Sequence, residues 1–172
     1  NHISQRLVNL TKQTPTNKIF EALNTYSDNS EVRYVGGCIR KIIKNEVVDD
    51  IDLATNLKPN EVCDALKKKD INFYETGLEH GTITAIIDEY KYEITSLRKD
   101  VTTDGRHANV EFSLDWKEDA ARRDFSINSI YSDKEGNLFD PYNGKKDLES
   151  GVINFIGNAE DRIKEDYLRI LR

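Results

Sequence analysis

Apolar residues recur along this chain with two different periods. Over residues 17–27 (NKIFEALNTYS), Ile19, Phe20 and Leu23 fall at helical spacing, which predicts a helix there. The run V32-R-Y-V35 reads as a short strand, followed at once by Gly36-Gly37 and an amphipathic helix over 38–45. Residues 47–54 read as a second strand. Pro59 suits the first turn of a helix whose apolar face (Val62, Ala65, Leu66) runs to about Lys69. Beyond it the period drops to two, and 71–74, 82–87, 91–96 and 108–112 all read as strands. A last stripe, Ile163, Tyr167, Ile170 and Leu171, predicts a helix over 158–172.

This order predicts a mixed α/β (α+β) domain built on one sheet flanked by helices, with a second helical region just beginning. Three segments are expected: a polar leader or mobile arm over 1–16, one domain over 17–150, and the start of a helical unit over 151–172. The last helical pattern is still running at Arg172, and the chain begins at Asn1 without a methionine. Both features fit a piece of a longer protein.

Composition narrows the function classes. With 33% charged and 37% hydrophobic residues and no apolar run near the roughly 20 residues of a membrane span, a soluble protein with a modest core and no membrane partner is expected. Cys38 and Cys63 match neither a zinc spacing nor a redox pair, and read as free thiols in a reducing compartment, cytoplasm or organelle matrix. A net charge of −6 argues against strong nucleic-acid binding by this piece alone.

The candidate chemistry starts with V48-D-D-I-D-L-A-T55, where aspartates interrupt a strand pattern. Side chains alternate along a strand, so Asp50 and Asp52 share a face, with Cα atoms about 7 Å apart. Unpaired, they would raise each other's pKa, and a divalent cation would remove that penalty. An exposed strand end paired with lysines would show the same pattern. In V35-G-G-C-I-R40, Gly36 and Gly37 let the backbone approach a ligand closely and Arg40 could reach a phosphate, although such a turn is often only a tight connection. Glu93 is either a third carboxylate for a metal or an ordinary strand glutamate. In A121-R-R-D-F-S-I-N128, Arg122 and Arg123 suit a triphosphate. If that run is helical, Asp124 and Asn128 share a face suited to holding a sugar or an arginine.

Taken together, these runs resemble a known family, the class II tRNA nucleotidyltransferases, which comprise CCA-adding enzymes and the similar bacterial poly(A) polymerases. V35-G-G-C-I-R40, D49-D-I-D-L-A-T-N56, E93-I-T-S-L-R98, D104-G-R-H107, R122-R-D-F-S-I-N128, D140-P-Y-N-G144 and E165-D-Y-L-R-I-L-R172 look like its motifs, in its order. The resemblance covers roughly residues 31–172. D-G-R-H together with D115-W-K-E-D-A120 looks more like the CCA-adding branch. Lys41 departs from the family, which usually has aspartate there.

The resemblance implies a polymerase-beta-like head over 17–150 and the first part of a helical neck over 151–172. It implies Asp50 and Asp52 as ligands of a two-ion Mg²⁺ site, with Glu93 the third catalytic carboxylate. Gly36, Gly37, Arg40, Arg122, Arg123, Asp124 and Asn128 would bind nucleotide. Glu165, Asp166 and Arg169 resemble the family's base-selecting motif. Aspartate only accepts and arginine only donates. Cytosine and adenine present an exocyclic amine beside an unprotonated ring nitrogen, which Asp166 and Arg169 could read together; a surface ion pair is the plainer alternative. The implied activity is addition of C and A to the 3′ end of tRNA from CTP and ATP, with release of pyrophosphate. Poly(A) synthesis, CC-only or A-only addition, and an inactive head that binds nucleotide or RNA stay open.

Overall fold

The computed structural model describes residues 2–48, 50–77, 81–103 and 107–157, with 102–103 and 107–110 described by their backbone. In chain order the elements are α1 (His2–Lys12), α2 (Thr14–Asn24), β1 (Val32–Val35), α3 (Gly37–Ile43), β2 (Asp50–Thr55) and α4 (Pro59–Lys68). They continue with β3 (Asn72–Gly77), β4 (Thr82–Ile87), β5 (Tyr90–Ser96), β6 (Arg98–Thr103), β7 (His107–Phe112), α5 (Trp116–Ala121), a 3₁₀ turn (Ser126–Asn128), β8 (Tyr131–Ser132), β9 (Leu138–Phe139) and α6 (Gly144–Ser150). Seven strands form one sheet in the order β3-β4-β5-β2-β1-β8-β9, and β6 with β7 forms a separate hairpin. The β2–β5 pair is parallel; every other described pairing is antiparallel. The expected mixed α/β architecture is what the chain adopts, with the β6–β7 hairpin, which includes the run 108–112, set apart from the main sheet.

Alternation along the central strands sorts the two faces of the sheet. Ile51 and Leu53 of β2, Tyr92 and Ile94 of β5, and Tyr34 of β1 point into the main core, where they meet Leu7, Ile19, Phe20, Leu23, Ile39, Ile42, Val62 and Leu66 from the helices. Among the described residues, a smaller cluster of Val35, Ala54, Leu97, Ala120 and Tyr131, with Trp116 and Phe139 against it, packs on the opposite face. Asp52 and Glu93 lie on this second face, beyond the edge of that cluster.

Several boundaries differ from the sequence expectation. Residues 2–12 are not a polar arm: α1 packs on α2 and α3, and Leu7 is fully buried. Two polar residues are buried with it through tyrosine hydroxyls that rise from the sheet. Thr11 Oγ1 is 2.7 Å from Tyr34 Oη, and Thr16 Oγ1 is 2.9 Å from Tyr92 Oη. The second helix starts at Thr14, with Pro15 in its first turn, rather than at 17. Strand β2 starts at Asp50, and Val47 stays 84% exposed. The run 121–128 is not one helix, since α5 ends at Ala121 and Phe125 is extended and bridged to Phe155. The predicted helix over 158–172 lies outside the described residues.

Because α1 contributes to the main core, Leu7→Ala should destabilise the protein by about 2–5 kcal/mol. Thermal or denaturant unfolding checks this, and an unchanged midpoint would mean that α1 does not contribute to the fold.

Candidate active site

The site is built where β1, β2 and β5 run side by side. The β2–β5 register pairs Asp52 with Glu93 and Asp50 with Lys91, so two carboxylates stand next to each other on adjacent parallel strands. Gly36 takes a positive φ of 66° at the β1–α3 turn, which a side chain would disfavour. At Gly37 an added Cβ would come 3.3 Å from Asp52 Oδ2, tighter than a side chain is normally accommodated. The glycine pair therefore admits the Asp52 carboxylate beneath the start of α3.

Burial raises the Asp52 pKa to about 6, helped by the charge of Glu93, a hydrogen bond with it, and the charge of Asp50, while Arg123 acts in the opposite direction. Asp50 and Glu93 are the more exposed members. Asp52 and Glu93, with Asp50 two residues earlier on β2, offer the hard oxygen donors that Mg²⁺ takes. Among the described residues no three His, Cys, Asp or Glu side chains form a ready-made cage.

Facing Asp52 is a wall of arginines. A cleft of about 460 Å³ is lined by Gly36, Gly37, Arg40, Asp52, Thr95, Arg98, Arg122, Arg123, Asp124 and Asn128, among others. Among the described residues, Nε of Arg40 and Nε of Arg98 are buried without a hydrogen-bond partner, an unfavourable state that an anion in the cleft would relieve. Burial and the neighbouring charge of Arg122 depress the Arg98 pKa, the signature of crowded like charges.

Arg122 and Arg123 are fixed from behind by Asp119 of α5, whose side chain is 1% exposed. Arg122 Nε and Nη2 each lie 3.0 Å from Asp119 Oδ1. Arg123 donates to Oδ2 through Nε at 3.3 Å and Nη2 at 3.1 Å. Tyr131 Oη donates to the same oxygen at 2.6 Å, and the Arg98 backbone N–H reaches Oδ1 at 3.1 Å. Burial alone would push the Asp119 carboxyl up, but Arg123 and Arg122 reverse this and hold it below its ordinary value.

The structure brings Gly36, Gly37, Arg40, Asp52, Arg122, Arg123, Asp124 and Asn128 around one cleft, with Asp50 and Glu93 adjoining Asp52. Asp124 and Asn128 do meet, though not on a helix: Asn128 Nδ2 donates to Asp124 Oδ1 at 3.3 Å across the turn. Glu165, Asp166 and Arg169 lie outside the described residues. Arg98 and Asp119 are additions. Arg98 closes the E-I-T-S-L-R run already singled out, whereas a buried helix aspartate looks in sequence like any exposed one.

A mixed sheet that sets carboxylates under a Gly-Gly turn, opposite a row of arginines, has the architecture of a nucleotidyltransferase head. The chain belongs to the family of the Poly A polymerase head domain, whose model matches residues 32–154. It is 47% identical to the human (Homo sapiens) mitochondrial CCA tRNA nucleotidyltransferase 1 over 146 residues, 84% of this chain and 34% of that protein. It is 41% identical to the CCA-adding enzyme of Oceanobacillus iheyensis over 148 residues, 85% of this chain and 36% of that protein. Among solved structures, the Bacillus stearothermophilus CCA-adding enzyme in complex with CTP matches with a TM-score of 0.75 at 29% identity, over 93% of this chain and 38% of that one. The chain thus spans about a third of the length of the curated relatives it matches.

The raised Asp52 pKa has a measurable consequence. Between about pH 4 and pH 6 the folded protein keeps a proton that the unfolded chain has released, so stability falls as pH rises through this window. In chelator at neutral pH, Asp52→Asn should therefore be more stable than wild type, on the order of 1 kcal/mol after allowing for solvent screening. Melting curves at several pH values test this. Equal stability above pH 6 would contradict the carboxylate cluster.

Proposed function

We propose that this chain is the catalytic head of a template-independent, metal-dependent nucleotidyltransferase that adds C and A to the 3′ end of tRNA. The observation that carries the reading is the cleft in which Asp52, paired with Glu93, faces Arg40, Arg98, Arg122 and Arg123. Its relatives support the acceptor and the nucleotides, being named CCA-adding enzymes, one of them solved with CTP.

In this reading Asp50, Asp52 and Glu93 would hold Mg²⁺, which when bound lowers the pKa of the RNA 3′-hydroxyl and stabilises charge on departing pyrophosphate. The arginines would take the triphosphate, with planar guanidinium groups that stay charged at any working pH. Gly36 and Gly37 would keep the entrance free of side chains, so that the α-phosphate can come close to Asp52. Asp124, tied to Asn128, would meet the ribose. Asp166 and Arg169 would read the base edge and reject uracil and guanine, whose donor and acceptor groups are reversed.

The test is incubation of the full-length protein with Mg²⁺, each nucleoside triphosphate separately, and tRNAs ending before C, after CC and after CCA. Stepwise addition of C, C and A is expected. Open-ended A addition would identify a poly(A) polymerase, and no addition at all would identify a nucleotide- or RNA-binding head. In the same assay Asp50→Ala or Asp52→Ala should lower turnover by about a thousandfold or more, the effect of several kcal/mol on the barrier. Retained turnover in the double variant would remove the carboxylates from the chemistry. Asp166→Ala and Arg169→Ala should admit UTP and GTP before they abolish addition, and unchanged exclusion in both would defeat their assignment.

A further inference from the structure

Asp119 is the least exposed charged group at the cleft, and it does not line it. Its two oxygens are shared out symmetrically. Oδ1 takes the Nε–Nη2 edge of Arg122, and Oδ2 takes the Nε–Nη2 edge of Arg123. Both arginines line the cleft that Asp52 also lines. Tyr131 locks the arrangement from β8, donating to Oδ2 while its oxygen accepts from Arg123 Nε at 3.1 Å. The backbone N–H of Arg98 on Oδ1 ties in the start of β6, so one carboxylate references three cleft arginines to a common point.

We infer that Asp119 is a positioning residue, which holds Arg122 and Arg123 in the orientation that receives the triphosphate of an incoming nucleotide. The inference deepens the nucleotidyl-transfer reading and rests on it. A buried ion cluster is a weak source of stability compared with apolar residues of similar volume. What it supplies here is orientation. Two long side chains that would otherwise lose rotamer freedom on binding an anion have already lost it. Charge balance permits the role, because Asp119 is one carboxylate shared between two arginines and leaves that pair with a net positive charge. Asp119 touches neither the proposed metal position nor the substrate, which separates it from the carboxylates on β2 and β5.

The experiment measures binding of inorganic triphosphate to the full-length protein by calorimetry, beside KM and kcat for CTP, in wild type, Asp119→Asn and Tyr131→Phe. Melting temperatures identify folded variants, and Tyr131→Phe, which keeps the carboxylate, decides the matter if Asp119→Asn does not fold. Asp119→Asn should bind triphosphate about tenfold or more weakly, as expected for disordering charge-assisted contacts, and raise KM for CTP alike with kcat changed by about threefold at most. Tyr131→Phe should move the same quantities in the same direction by about threefold. A purely structural role would lower the melting temperature and leave KM in the folded fraction unmoved. Folded variants that bind triphosphate as wild type does would overturn the positioning role while leaving nucleotide addition intact. Weakened binding in the variants of a wild type that adds no nucleotide would uphold the role and remove the nucleotidyl-transfer reading instead. A wild type that binds no triphosphate overturns it as well.

Discussion

The site depends on one pairing: β2 and β5 run parallel in a register that sets Asp52 directly beside Glu93. Sheet geometry gives neither carboxylate a way to withdraw, since each shares its strand with apolar residues that must face the main core. A slip by one residue would turn Ile51, Leu53, Tyr92 and Ile94 out of the core and the acids into it. Fixing the hydrophobic face therefore fixes the acidic one. The repulsion that results is held in place by burial rather than chosen locally, and the Asp52 pKa of about 6 records it.

The arginine wall answers the same constraint from the other side of the cleft. Arg123 is close enough to Asp52 to favour its ionised form, yet its nitrogen-rich edge is committed to Asp119 and Tyr131. The same cleft is thus lined by acids and by arginines whose orientation is set from behind. A ligand carrying both divalent cations and a polyanion would satisfy the two walls together, which neither wall achieves for itself.

Much of this was legible in the chain. The period-two runs located β4 and β5 within a residue or so, and the apolar spacing after Pro59 located α4. The Gly-Gly turn, Asp52 of the D-x-D pair and the double arginine line one cleft, although they are far apart in sequence. What escaped did so for physical reasons. Helix α1 buries Thr11, and α2 buries Thr16, through tyrosine hydroxyls that hydropathy cannot register. Strands β8 and β9 are two residues each, too short to show a period. The 121–128 run carries helical spacing but is bent by its bridge to Phe155, a partner about thirty positions away. Asp119 is invisible for a related reason: its burial is created by arginines on the following turn and a tyrosine from a separate strand.

In the proposed reading the β2–β5 carboxylates form a divalent-cation site beside a triphosphate cleft. Anomalous diffraction from crystals of the full-length protein soaked with Mn²⁺ and CTP tests it most directly. Anomalous density is expected between Asp50, Asp52 and Glu93, with the triphosphate against Arg98, Arg122 and Arg123. CTP seated in the cleft with no manganese at those carboxylates would contradict it.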